Sequence, residues 1–151
     1  MSGAPDGSEP AVAIEVPADD AAPLVVRRAI EDVVHDNPAV RLSESELAEV
    51  CSAVHEACTN IVRHGLRGDA RRTFRAEVVC RAAELAIVFR DDGPAYRLGP
   101  LRAPAPEVLA ERGYGIHIMR SWLDEVRLER IGACNVLSLV RRYRAAASCH
   151  A

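Results

Sequence analysis

The chain has 151 residues, 49% hydrophobic and 27% charged, with a formal net charge of −3. That length fits one domain able to bury a full core without staples, and the charge gives no electrostatic reason to expect direct nucleic-acid binding. The five cysteines (Cys51, Cys58, Cys80, Cys134, Cys149) form no CxxC pair, so free thiols in a reducing cytosol are expected rather than a disulfide scaffold or a zinc site.

Residues 1–10 are rich in Gly, Pro, Ser and acids and read as a disordered tail with too little apolar surface to offset ordering. They lack the basic start and apolar stretch of a secretory signal. No run in the chain approaches the ~20 apolar residues that span a membrane, so a cytoplasmic protein is expected. Ala11 to Val16 alternates weakly and predicts an edge strand before a turn at Pro17–Asp20. Leu24, Val25, Ile30, Val33 and Val34 recur at helical spacing, predicting a helix over 22–34 that Asp36-Asn37-Pro38 ends. Ser43 and Glu46 form a capping box for a second helix. Its apolar stripe is Leu47, Val50, Val54, Cys58 and Ile61, and it stops at Gly65; Cys51 and Cys58 read as small core residues.

Thr73–Arg81 and Leu85–Arg90 read as a hairpin of two strands. The proline-rich stretch 94–106 reads as a loop or lid, and a third helix is expected from Gly115 to Leu123. Strands Glu125–Arg130 and Val136–Tyr143 flank a turn at Gly132-Ala133. Residues 145–151 read as a C-terminal tail. The predicted order, β-α-α-β-β-loop-α-β-β, is that of an α+β fold, a two-layer sandwich with helices on one face of a mostly antiparallel sheet.

Three blocks carry chemistry. Glu56 and Asn60 lie four residues apart on one helix face, roughly opposite the apolar stripe at about 100° per residue. Spacing alone describes a solvated face. The residue types also suit proton abstraction from a hydroxyl, by the carboxylate, and Mg²⁺ ligation, by the amide oxygen. His64, one turn further on, reads as structural. Arg90-Asp91-Asp92-Gly93 follows an apolar strand; it is either a strand-ending turn or an aspartate placed to accept a hydrogen bond from an adenine amino group. Arg112-Gly113-Tyr114-Gly115 precedes a helix. That is a plain helix start, or a glycine pair whose backbone N–H groups meet phosphate beside an arginine. Neither a P-loop nor a Rossmann fingerprint is present. Arg127, Arg130, Arg141, Arg142 and Arg144 read best as solvated strand faces, with a partner surface as the other reading.

In order, these blocks resemble the GHKL ATPase superfamily, and within it the RsbW/SpoIIAB-type anti-sigma factors, which are serine-protein kinases. Residues 53–65 resemble the N-box helix, 89–94 the G1 box and 111–116 the G2 box, and the resemblance extends over about residues 11–144. It implies the Bergerat fold and an ATP site in which Asn60 ligates Mg²⁺ and Asp91 binds the adenine amino group. Gly93, Gly113 and Gly115 would shape the pocket, Arg112 would meet the γ-phosphate, and Glu56 would act as general base. The implied partners are a sigma factor, an anti-anti-sigma (STAS-domain) protein as phosphoacceptor, and a second copy of the chain in a homodimer.

Two positions depart from the family pattern. Ala95 stands at the second glycine of the G1 box, and Gly132-Ala133-Cys134-Asn135-Val136 replaces a stretch with Gly and a Thr that helps hold adenine, leaving Cys134 or Asn135 as substitutes. The loop between the G1 and G2 boxes is also short. A non-catalytic sequestration module on the same fold is the alternative function. A sensor histidine kinase fragment fits less well, since no helical hairpin with a phosphorylatable histidine is expected upstream.

Overall fold

The computed structural model describes residues 7–98 and 119–144. Five strands form one sheet: β1 (Val12–Pro17), β2 (Thr73–Arg81), β3 (Glu84–Asp91), β4 (Glu125–Ile131) and β5 (Cys134–Arg142). They are ordered β1-β2-β3-β5-β4 and every neighbouring pair is antiparallel. Two helices, α1 (Ala22–Asp36) and α2 (Glu44–Asn60), pack on one face of this sheet, and α2 runs on into a π-helical turn, Ile61–Gly65. The α+β sandwich predicted from the element order is the architecture observed. Of the predicted third helix, residues 119–122 are helical; its first part, and the loop from residue 99, lie outside the described residues.

Local chemistry sets each boundary. The Ser43 hydroxyl accepts from the Glu46 N–H at 3.0 Å, and Glu46 Oε1 accepts from the Ser43 N–H at 3.1 Å, closing the capping box. Helix α1 stops at Asn37, whose φ of −123° and ψ of 94° is the extended backbone that Pro38 imposes. Its buried stripe is Ala22, Val26, Ile30 and Val34, at strict four-residue spacing. Leu24 and Val25, expected inward, are 50% and 39% exposed. The residues one turn apart that face the sheet outcompete them for the core. Helix α2 buries its whole expected stripe, with Cys51 and Cys58 in the core.

Strand β3 is buried on both sides, which is why Leu85-Ala86-Ile87-Val88-Phe89 is a continuous apolar run rather than an alternating one. Leu85, Ile87 and Phe89 face the helices, where Phe89 meets Phe74 with ring centroids 6.1 Å apart. Ala86 and Val88 join Val79, Val136 and Val140 in a smaller cluster on the other face. There the fully buried Glu77 receives Arg90 Nε at 2.7 Å, between two arginines (Arg75 and Arg90) that the β2–β3 register sets directly opposite each other. The carboxylate offsets the like-charge repulsion of that cross-strand pair.

Candidate functional site

Glu56 and Asn60 are both half-buried on α2, on the face away from the Val54–Ile61 stripe. Asn60 immediately precedes the π-turn, in which the Leu66 N–H reaches back five residues to the Ile61 carbonyl at 2.8 Å. Such π-turns inside helices are concentrated at functional sites. This one widens the helix end so that Gly65 is buried against the end of β3.

Asp91 is the last residue of β3 and is only 4% exposed. Its Oδ1 accepts from the Gly93 N–H at 3.0 Å, forming a tight turn. A Cβ built on Gly65 would lie 3.2 and 3.3 Å from the two Asp91 carboxylate oxygens. A Cβ built on Gly93 would lie 1.8 Å from the Gly65 carbonyl oxygen, so only glycine fits. Tyr96 lies across the same spot, its ring 3.3 Å from the Cβ built on Gly65. Among the described residues its buried hydroxyl has no hydrogen-bond partner, and burial, with Asp91 nearby, pushes the phenol's pKa up.

Asn135 completes the cluster. It sits directly opposite Asp91 across β3 and β5, and directly opposite Arg130 across β5 and β4. Its Nδ2 donates to Asp91 Oδ1 at 2.9 Å, the Pro94 carbonyl at 3.0 Å and the Gly93 carbonyl at 3.3 Å. Arg130 Nη1 donates to Asn135 Oδ1 at 3.0 Å and to the Gly93 carbonyl at 2.7 Å. Cys134 faces the opposite side of the sheet, against the Val79–Val136 cluster. Of the two residues expected to stand in for the missing threonine, Asn135 alone meets Asp91.

Glu56 also lines a groove of about 540 Å³ between α1 and α2, with Leu24, Arg27, Ser52, His55 and Trp122. The wall carrying Trp122 is tied down by Arg141, whose Nη1 donates to the Trp122 carbonyl at 2.6 Å and to Glu49 at 2.9 Å. Arg141 and the tip of Arg130 therefore do internal work, whereas the sequence suggested solvated faces; Arg127 and Arg142 are indeed exposed.

The structure thus brings Asp91 and Gly93 together with the end of the helix that carries Glu56 and Asn60. Arg112, Gly113 and Gly115 lie outside the described residues. Ala95 is exposed. Tyr96, Arg130 and Gly65 were not singled out from the sequence as parts of the site. Gly65 carried a signal, a glycine at the helix stop, but its contact with Asp91 depends on tertiary packing. Among the described residues no three His, Cys, Asp or Glu side chains converge to hold a metal ion, and no helix is long and apolar enough to cross a membrane.

Residues 16–141 match the histidine kinase-like ATPase domain family. The chain is 34% identical over 88 residues to the anti-sigma F factors of Bacillus thuringiensis and Bacillus mycoides. That match covers 55% of this chain and 60% of each relative, so the chain spans less than two thirds of their length. Among solved structures, it superposes on the RsbU and RsbW domains of a Mycobacterium tuberculosis protein with a TM-score of 0.61 at 16% identity, covering 92% of this chain and 36% of that one. It superposes on the Pseudomonas aeruginosa SiaB-SiaC complex with a TM-score of 0.57 at 17% identity, covering 87% of this chain and 89% of that one. At these identities the two structures speak to the fold.

Proposed function

The chain belongs to the histidine kinase-like ATPase domain family, and from that premise we propose that it is a cytoplasmic, ATP-binding anti-sigma factor and serine/threonine-protein kinase. Its substrate would be an anti-anti-sigma protein of the STAS type, and its other partner a sigma factor. The anti-sigma F factors it resembles support the regulatory part. A homodimer belongs to the same proposal.

The observation that carries the ATP reading is the packing of the helix end against the turn after β3. Gly65, Gly93 and Asp91 pack so closely that a side chain at Gly93 would strike backbone, and they hold a buried carboxylate fixed beside the Tyr96 hydroxyl, which meets no hydrogen-bond partner among the described residues. An oriented, desolvated acceptor of this kind suits a purine amino group. Asp91 would accept from the adenine amine and Gly93 would admit the base. Arg112, Gly113 and Gly115 would face the phosphates.

The donor set also fits Mg²⁺. With no acidic cluster among the described residues, Asn60 would supply an amide oxygen, with phosphate and water completing the shell, as is usual for this cation. The bound cation would supply charge neutralisation at the phosphates. Glu56 would orient the acceptor hydroxyl and take its proton, from a segment lying in the groove between α1 and α2. Little covalent work is asked of the protein in phosphoryl transfer, so positioning by these residues is its contribution.

The test is transfer of labelled γ-phosphate from Mg-ATP to candidate STAS proteins, preceded by calorimetric titration with ATP. Glu56→Ala should abolish transfer while retaining nucleotide, and Asn60→Ala should weaken Mg-ATP binding. Sigma-factor binding without any transfer by the wild type would leave the non-catalytic sequestration module standing in place of the kinase.

A further inference from the structure

We propose that Asn135, held by Arg130, is the positioning residue that sets purine selectivity, an inference that rests on the adenine-binding reading of Asp91. The three side chains lie in one row across β3, β5 and β4. Arginine only donates hydrogen bonds, so the Asn135 oxygen must face Arg130 and its amide nitrogen must face Asp91. The amide orientation is therefore dictated by chemistry. Asp91 Oδ1 then receives two N–H donors, from Gly93 at 3.0 Å and from Asn135 at 2.9 Å. Among the described residues no hydrogen bond reaches Oδ2.

The consequence is a carboxylate with its plane fixed and one oxygen left as an acceptor. An exocyclic amine at purine position 6 satisfies that oxygen. A 6-oxo group presents a lone pair to it and is repelled, and a purine without a 6-substituent leaves it unmet, at the cost of a desolvated charge. Asn135 also donates to the Pro94 and Gly93 carbonyls, and Arg130 donates to Gly93. The same pair thus fixes the turn and the acceptor it presents. Asn135 touches Asp91 rather than the base, so it acts through Asp91.

The experiment titrates wild type, Asn135→Ala, Asn135→Thr and Arg130→Ala with ATP and with purine riboside triphosphate, which lacks only the 6-amino group. Calorimetry gives the affinities and thermal unfolding follows each variant. Wild type should prefer ATP by roughly tenfold to a hundredfold, the worth of one hydrogen bond to a charged group. Asn135→Ala should lose most of that preference by weakening ATP, with purine riboside triphosphate changed by less than about threefold. Asn135→Thr, which keeps one O–H donor, should recover part of it. Arg130→Ala, on an edge strand where folding is least at risk, should shift the preference in the same direction and decides the matter if Asn135→Ala does not fold. Equal weakening of both nucleotides in the variants would make Asn135 merely structural and overturn the proposal. Equal wild-type affinity for both would overturn it too, together with the adenine-amine role of Asp91, while leaving triphosphate binding itself standing. Failure of wild type to bind either nucleotide would instead defeat the ATP reading, and this inference with it.

Discussion

Replacing Gly93 with alanine tests the packing on which the candidate site depends. Among the described residues the glycines with positive φ are Gly7, Gly68 and Gly132, so Gly93 does not need glycine for a left-handed backbone, and space demands it there. The added methyl would fall 1.8 Å from the Gly65 carbonyl oxygen, 2.7 Å from its carbon and 3.0 Å from Asp91 Oδ1. Two of those three atoms are backbone, at the end of a hydrogen-bonded π-turn. To reach an ordinary contact of 3.4 Å the two segments must part by about 1.6 Å, a shift that a close-packed interior resists. Overpacking of this size costs about 1–3 kcal/mol, lowering Tm by about 3–10 °C in a domain of this length. The same displacement moves the Gly93 carbonyl away from Arg130 and Asn135, so ATP affinity should fall at least about tenfold. Gly132→Ala is the control: with a φ of 61° and nothing within 4 Å of its built Cβ, it should lose about 1–2 kcal/mol through backbone strain while keeping ATP affinity. Differential scanning calorimetry and ATP titration measure both. A Gly93→Ala protein that melts within about a degree of wild type and binds ATP equally well would refute the reasoning.

Arg90→Ala removes the 2.7 Å partner of the fully buried Glu77 and leaves Arg75 at 3.7 Å; urea unfolding should show a loss of about 1.5–3 kcal/mol, the worth of a hydrogen bond to a charged group. Cys58 is fully buried, and burial pushes its thiol's pKa well up, whereas an unfolded thiol ionises near ~8.5. The native state therefore keeps the proton that the unfolded state loses. Stability should be complete below about pH 8.5 and fall above it by up to about 1.4 kcal/mol per pH unit from this thiol. Urea midpoints across that range should show a shallower alkaline decline in Cys58→Ala, and an unchanged decline would exclude the thiol as its source.

Much of this protein follows from short-range information. The Ser43–Glu46 capping box, the stop at Asn37-Pro38, the stripe on α2 and the turn at Gly132 are each set by residues within a few positions of one another, so the sequence alone placed α1, α2 and the five strands in their order. Helix α1 shows where that reasoning reaches its limit. Which of its apolar residues turn inward depends on the position of the sheet, so Leu24 and Val25 came out exposed. For the site, sequence marked Glu56, Asn60, Asp91 and Gly93, whose types and spacing are legible locally. It could not choose between Cys134 and Asn135. That choice depends on which side chain the β3–β5 register turns towards Asp91, 44 residues away in sequence, and a shift of one residue would have exchanged the two. The contact of Gly65 with Gly93, and the reach of Arg130 to the same turn, likewise exist only once the helix end and three strands have met. Sequence fixes local geometry because its causes are local; the closest contacts of the site join distant segments, and only the tertiary fold decides them.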